Sequence, residues 1–427
     1  VSSPAPGALD GIRVLELSVI LSAPYAGVHL AEMGAQVIKV EPPGGEPFRN
    51  LGTPVPGHAK LFQWANRGKR SLVLDLHRPE ARDVVRRMLP RIDVVLVNYR
   101  PGIARRLGLD YASLVAHKPD LIYADVNGFG TEGPLAASAA SDIVAQAYGG
   151  TVALDAKVDE HGAPDWPAVP VADLPAGIAT AMGICAALFH RERTGEGQLL
   201  SVSLLRTAMH MTYMHGMVEP VNDSVLRDFQ KAEIARVRSE GGSYRQMLDV
   251  RRRMGRRGSA MSVYFSGYAA KDGGLVLGAL TPANRNAVRR ALGIDDDPSD
   301  EPGFDGSDPA NIERMEAVRA RIREILAHRT VEEWLELFEV EGVPVAPVVF
   351  PEDLEDHPQA SLHLAELVHE ITGPQKIARP LVDMAASPML ARAPSPIAGA
   401  HTDRVLAEIG GYDGHEIAAL RTAGVIE

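Results

Sequence analysis

From Ile12 the chain reads IRVLELS, then a stretch of small residues, AGVHLAEMGA, then VIKVEPPGG. A strand, a helix and a second strand closed by a Gly/Pro break make a βα unit, and neighbouring parallel strands need such crossovers. The pattern returns in SLVLDL, PEARDVVRRMLPRI and VVLVNYRPG, and again in LIYADVNGFG. These near-continuous apolar runs predict strands buried on both faces, so the expected fold is α/β, an open parallel sheet covered by helices. Ligands of such sheets bind outside the carboxyl ends of the strands. Those ends are residues 18–24, 41–45, 98–102 and 127–130.

The chain has 427 residues, enough for two or three domains. Further on, QLLSVSLL reads as another strand and LRTAMHMTYMHGMV as helical. The composition then shifts: residues 236–257 carry eight arginines against two acids. YFSGYAAKDGGLVLGAL reads as a hairpin around Asp272, Gly273 and Gly274. An acidic Pro/Gly stretch, residues 295–308, precedes the amphipathic segments ERMEAVRARIREILAHR and VEEWLELFEVEG. The expected division is a large domain over 1–224, a smaller one over 225–343, and a linker and tail over 344–427.

Apolar residues at 45% and charged residues at 23% are those of a globular protein. The formal charge of -11 disfavours a nucleic-acid partner, because no excess of Lys and Arg is available to displace phosphate counterions. The one cysteine, Cys185, allows no intrachain disulfide and fits a reducing compartment. The N-terminal text lacks a basic start and an apolar core, and no apolar run is read as approaching the roughly 20 residues of a membrane span. A cytoplasmic protein without a membrane partner is expected.

The segment VPVADLPAGIATAMGICAALFHRERTGEGQ is the most informative for chemistry. An extended run is expected to stop at Asp173 and a helix to begin behind it. Asp173 then reads as an N-cap with Pro175 in the first turn, and the amides there would keep its carboxylate ionised. Such an acid at a strand end can act as a nucleophile or base. Asn98-Tyr99-Arg100-Pro101-Gly102 offers an amide, a stacking face and a cation, a set suited to adenine or phosphate, and Arg105 and Arg106 add charge one turn on. The first βα turn lacks GxGxxG, the chain has no GxSxG elbow, Walker loop or HExxH, and its 14 histidines show no paired ligand spacing, so no metal is expected.

In chain order, LDGIRVLELS with AP, AEMGAQVIKVEPPGG, NRGKRSLVLDL, NYRPG, GFG with GP, SDIVAQAYGG, ADLPAG, ALFHRERTGEGQLLSVSLL and HTDRVLAEIG run over nearly the whole sequence. This ordered series resembles the class III CoA-transferases, the group of the formyl-CoA and carnitine CoA-transferases and the 2-methylacyl-CoA racemases. The resemblance implies a Rossmann-like large domain built from the N-terminal part and the C-terminal tail, a smaller α+β domain between them, and an interlocked homodimer. It implies that Asp173 is the catalytic carboxylate, forming a mixed anhydride and then an aspartyl-CoA thioester. It places CoA along Ile20, Leu21, Ser22, Glu41, Lys69, Asn98, Tyr99, Arg100 and Arg106. CoA enters as the thioester substrate, with a small carboxylic acid as its partner and no further cofactor.

Leu21 stands where the oxalate-specific formyl-CoA transferases carry Gln, and MGRRGSAM stands near their Gly-rich small-domain loop, which argues against a formyl-CoA/oxalate pair. The racemase branch is the alternative. It uses a His-Asp pair where this chain has Ser141-Asp142, and Ser141 cannot serve as the second base of an α-proton exchange. Asp142 remains a candidate for orienting the site. An inactive CoA-binding protein is a third reading, against which the intact Asp173 argues.

Overall fold

The computed structural model describes residues 5–165, 167–255 and 260–427. The middle of MGRRGSAM, residues 256–259, and with it the last two arginines of the 236–257 run, lies outside the described residues. The chain divides into two compact units. The larger holds residues 1–159, 164–217 and 362–427, and the smaller holds 160–163 and 218–361. The sequence reading set the small domain at 225–343.

The larger unit is built on six parallel strands: β1 (Arg13–Leu17), β2 (Gln36–Glu41), β3 (Arg70–Val73), β4 (Val94–Val97), β5 (Ile122–Asn127) and β6 (Leu199–Ser203). Their order across the sheet is β3-β2-β1-β4-β5-β6. The order reverses at β1, whose register with β4 runs from Val14↔Val94 to Leu17↔Val97.

Alternate strand residues enter two different cores, as the two-residue period of a strand requires. Val14, Val94 and Leu96 face Ala23, Ala26 and Leu30 of α1 (Ser22–Glu32), together with Ala181, Ile184 and Ala187 of a long helix, Asp173–Thr194. Leu15, Leu17, Val95 and Val97 face Val84, Val85 and Met88 of α2 (Pro79–Met88), and with them Val405, Leu406, Ile409 and Ile417 from the end of the chain. The expected sheet covered on both faces is present, and residues 362–427 supply part of one cover.

Three more helices complete what positions the site: α3 (Asp142–Gly149), α4 (Asp173–Thr194) and α5 (Leu204–Met211). By length and composition α4 could cross a membrane, which corrects the expectation that no run approaches that length. Its inner face is packed against α1 and the sheet, while Ile178, Met182 and Phe189 are exposed.

In the smaller unit β7 (Phe265–Ala269) and β8 (Gly274–Gly278) form the expected antiparallel hairpin, and β9 (Val345–Pro347) pairs with β8. Helices Pro282–Leu292, Pro309–Leu326 and Val331–Glu341 close its core around Tyr264, Leu275, Leu277, Trp334 and Phe338. The fold is thus mixed α/β, with a large parallel sheet and a smaller antiparallel one.

Candidate active site

Where the strand order reverses, the chains leaving β1 and β4 run to opposite sides, and a crevice opens between their carboxyl ends. A cavity of about 450 Å³ lies there. Its wall comes from the turn after β1 (Val19, Ile20, Leu21, Ser22), the end of β4 (Asn98, Tyr99, Arg100, Pro101) and the end of β5 (Val126, Asn127, Gly128). Ser138, Ala139, Ala140, Ser141 and Asp142 continue it, and Asp173 stands at the start of α4. Eight of the eleven residues singled out from the sequence therefore meet at one place, namely Ile20, Leu21, Ser22, Asn98, Tyr99, Arg100, Asp142 and Asp173.

Asp173 is only 8% exposed. It is the first residue of α4 and not its N-cap: the cap position is Ala172, and residues 169–172 form turns and bends where an extended run was expected. The helix-end amides do not bind Asp173. Asp142 Oδ1 accepts from the backbone N–H of both Ala172 and Asp173, each at 2.9 Å. The other Asp142 oxygen accepts from Gln146 Nε2, which also donates to the Val169 carbonyl. One carboxylate thus caps the helix that carries the other.

The expectation that Asp173 is held ionised is overturned for the same reason. Burial raises its pKa to about 7, the Asp142 charge adds to the rise, and the Ser22 hydroxyl opposes it only in part. An Asp half-ionised near neutrality and largely buried is a poorly solvated and so more reactive nucleophile.

The turn after β1 is the second element of the site. Asn98 Oδ1 accepts from Val19 N–H at 2.9 Å, and Asn98 Nδ2 donates to the Val19 carbonyl at 2.8 Å. The next residue, Ile20, has φ of 72°. A β-branched residue at positive φ is a genuine outlier and costs on the order of 1–3 kcal/mol. α1 then begins without a side-chain cap. The N–H groups of Ile20, Leu21 and Ser22, residues that line the cavity, have no protein acceptor among the described residues, leaving them free for a ligand oxygen.

Gly177 sets how closely α1 and α4 approach. A Cβ there would lie 2.8 Å from the Ser22 carbonyl oxygen and 3.0 Å from Tyr25 Cδ1. Sequence reading missed both Gly177 and Gln146. Each stands four residues after a singled-out acid, on the same helix face, and that spacing is the signal that could have found them.

The remaining residues fall elsewhere. Glu41 and Lys69 do not line the cavity and lie in a buried ionic network instead. Arg49 binds both Glu41 oxygens, at 2.6 and 2.7 Å, and the Ser71 hydroxyl donates to one of them. Burial pushes the Glu41 carboxyl up, but Arg49, Lys39 and Ser71 more than reverse this and hold it low. Lys69 Nζ is enclosed by Glu16, the carbonyls of Pro24 and Ala65, and Asn66 Oδ1. Burial pulls its pKa down. A charged group so fully partnered has nothing left for a ligand.

Tyr99 is half-buried against the core, and burial pushes its phenol up to about 12. Arg100 is exposed at the cavity wall. Arg106 is exposed on the short helix Ile103–Leu107, outside that wall. Among the described residues no three His, Cys, Asp or Glu side chains gather as a metal set.

A buried acid facing unpaired amides, at the switch point of a parallel sheet, agrees with what comparison with known proteins finds. The model of CoA-transferase family III matches residues 9–402. Human succinyl-CoA:glutarate CoA-transferase is 28% identical over 98% of this chain and 90% of its own length. Succinyl-CoA:mesaconate CoA-transferase of Haloarcula marismortui is 33% identical over 86% of each chain. Among solved structures, a CAIB/BAIF family protein from Brucella suis superposes with a TM-score of 0.73 at 28% identity, over 95% of this chain and all of that one. With a match over nearly its whole length, this chain belongs to CoA-transferase family III and is a CoA-transferase.

Proposed function

We propose that the protein is an acyl-CoA:carboxylate CoA-transferase that works through a covalent Asp173 intermediate. The observation that carries this reading is a buried carboxylate, at a helix start whose Ala172 and Asp173 amides are held by Asp142, in a cavity lined by unpaired amides at the start of α1. A carboxylate suffices as nucleophile because a thioester is already activated.

An Asp173 oxygen attacks the thioester carbonyl, the C–S bond breaks, and a mixed anhydride and CoA thiolate result. The thiolate adds to the aspartyl carbonyl and the anhydride C–O bond breaks. The donor acid leaves with one Asp173 oxygen, and an aspartyl-CoA thioester remains. The acceptor carboxylate runs the two steps in reverse and leaves one of its own oxygens on Asp173. Each addition builds an oxyanion, which the α1 amides are suited to stabilise. Ile20, Leu21, Ser22, Tyr99 and Arg100 would line the CoA thioester, with Arg106 further out.

The names of the relatives support succinyl-CoA as donor and a short dicarboxylic acid as acceptor. A homodimer is part of the proposal. Met182 and Phe189 on α4, Tyr148 on α3, and Met209, Tyr213 and Met214 are all exposed, an apolar display suited to a second subunit.

Mass spectrometry of the CoA-ester pool tests the reading. The protein is mixed in heavy water with acetyl-, succinyl- and 2-methylacyl-CoA and a panel of carboxylic acids, without ATP. New acyl-CoA masses that vanish in Asp173→Ala are expected. Deuterium at the α-carbon of the 2-methylacyl ester, with no new ester, would overturn the proposal in favour of a racemase.

A further inference from the structure

We propose that Asn98 is a positioning residue, which holds the turn after β1 in its left-handed shape and so sets the amides at the start of α1. Its effect on turnover rests on the transferase reading above; the clamp itself rests on geometry.

The parallel ladder between β1 and β4 ends at Leu17 and Val97. One residue past Val97, the Asn98 side chain takes over the pairing, accepting from Val19 N–H and donating to the Val19 carbonyl at 2.9 and 2.8 Å. A side-chain amide carries the donor and acceptor of a peptide group, so Asn98 extends the ladder by one rung across the switch point. Asp cannot do this, because it has no donor for the Val19 carbonyl.

With Val19 fixed, only Ile20 and Leu21 remain before α1 starts at Ser22. The reversal falls on Ile20 at φ 72°. Ile has no local preference for that conformation, so the surroundings must impose it. The same three residues, Ile20, Leu21 and Ser22, line the cavity with Asp173. Release of Val19 would let Ile20 return to negative φ and carry those amides away from the reacting carbonyl.

The test is a double-mutant cycle of Asn98→Ala and Ile20→Gly, read by thermal stability, by CoA affinity from calorimetry, and by turnover. Glycine takes positive φ without strain. Ile20→Gly is therefore expected to raise Tm in the wild-type background and to lower it once Asn98 is gone. Asn98→Ala is expected to lower kcat by about 100-fold, with CoA affinity changed less than about threefold. Ile20→Gly in that background is expected to restore about tenfold.

Additive stabilities would overturn the clamp. So would a loss of CoA affinity as large as the loss of turnover, with no recovery from glycine. If the wild type transfers no CoA, the transferase reading fails, and the stability cycle alone still decides the clamp.

Discussion

Burial opposes the ionisation of Asp173, and the charge of Asp142 beside it adds to the effect. Because the nucleophile must be ionised, kcat/KM should fall as pH drops through about 7. Asp142→Asn keeps an acceptor for the two helix amides and removes the charge, so this acid limb should move to lower pH. A pH–rate profile of the two proteins checks it. Stability should move the opposite way. The folded state binds the Asp173 proton more tightly than the unfolded chain does, so this residue's penalty is fully present above about 7 and is relieved as pH falls toward the ordinary carboxylate range. Asp173→Asn should therefore melt a few degrees above wild type at pH 8, with the difference vanishing near pH 4, as calorimetry would show. Asp173 was legible in the sequence as the residue to watch, but its protonation was not. A capping Asp173 would accept from Ala176 N–H, which donates to the Ala172 carbonyl instead, and the amides of Ala172 and Asp173 go to an acid 31 positions upstream, which only the fold brings there.

At the scale of elements, the site depends on how closely α1 meets α4. Gly177→Ala would set a Cβ 2.8 Å from the Ser22 carbonyl and force the helices apart. Overpacking of this kind should destabilise by about 1–3 kcal/mol and lower kcat by about 100-fold through the displaced α1 amides. Melting curves and steady-state kinetics measure the two. Beside the site, Glu41 on β2, Arg49 and the Pro396 carbonyl tie the C-terminal segment to the sheet. Arg49→Met would leave Glu41 charged, buried and without its cation, at a cost of about 3–5 kcal/mol. Denaturant titration should show this loss, while Arg49→Lys should recover part of it. The βα alternation was legible because buried parallel strands read as apolar runs broken by Gly and Pro. The ionic network was not. Its charges come from β1, β2, the loop after β2 and the approach to β3, and their pairing depends on register. Glu41 and Lys69 read from the sequence as ligand contacts, and their buried ion pairs were not visible there.

For the molecule as a whole, the exposed apolar side chains of α3, α4 and the segment after α5 are the basis for the proposed homodimer. Sedimentation should give twice the 45.8 kDa chain mass. The pair Met182→Glu and Phe189→Glu should shift it toward the monomer, and a wild-type monomer at working concentration would refute the dimer. The central claim is that CoA passes from donor to acceptor through covalent intermediates on Asp173, and oxygen tracing tests it most directly. After many turnovers with an acceptor acid carrying ¹⁸O in its carboxylate, the peptide containing Asp173 is isolated and its mass measured. Heavy oxygen on the Asp173 carboxylate is the predicted result, because each turnover leaves one acceptor oxygen there. New CoA esters with an unlabelled Asp173 would contradict the account.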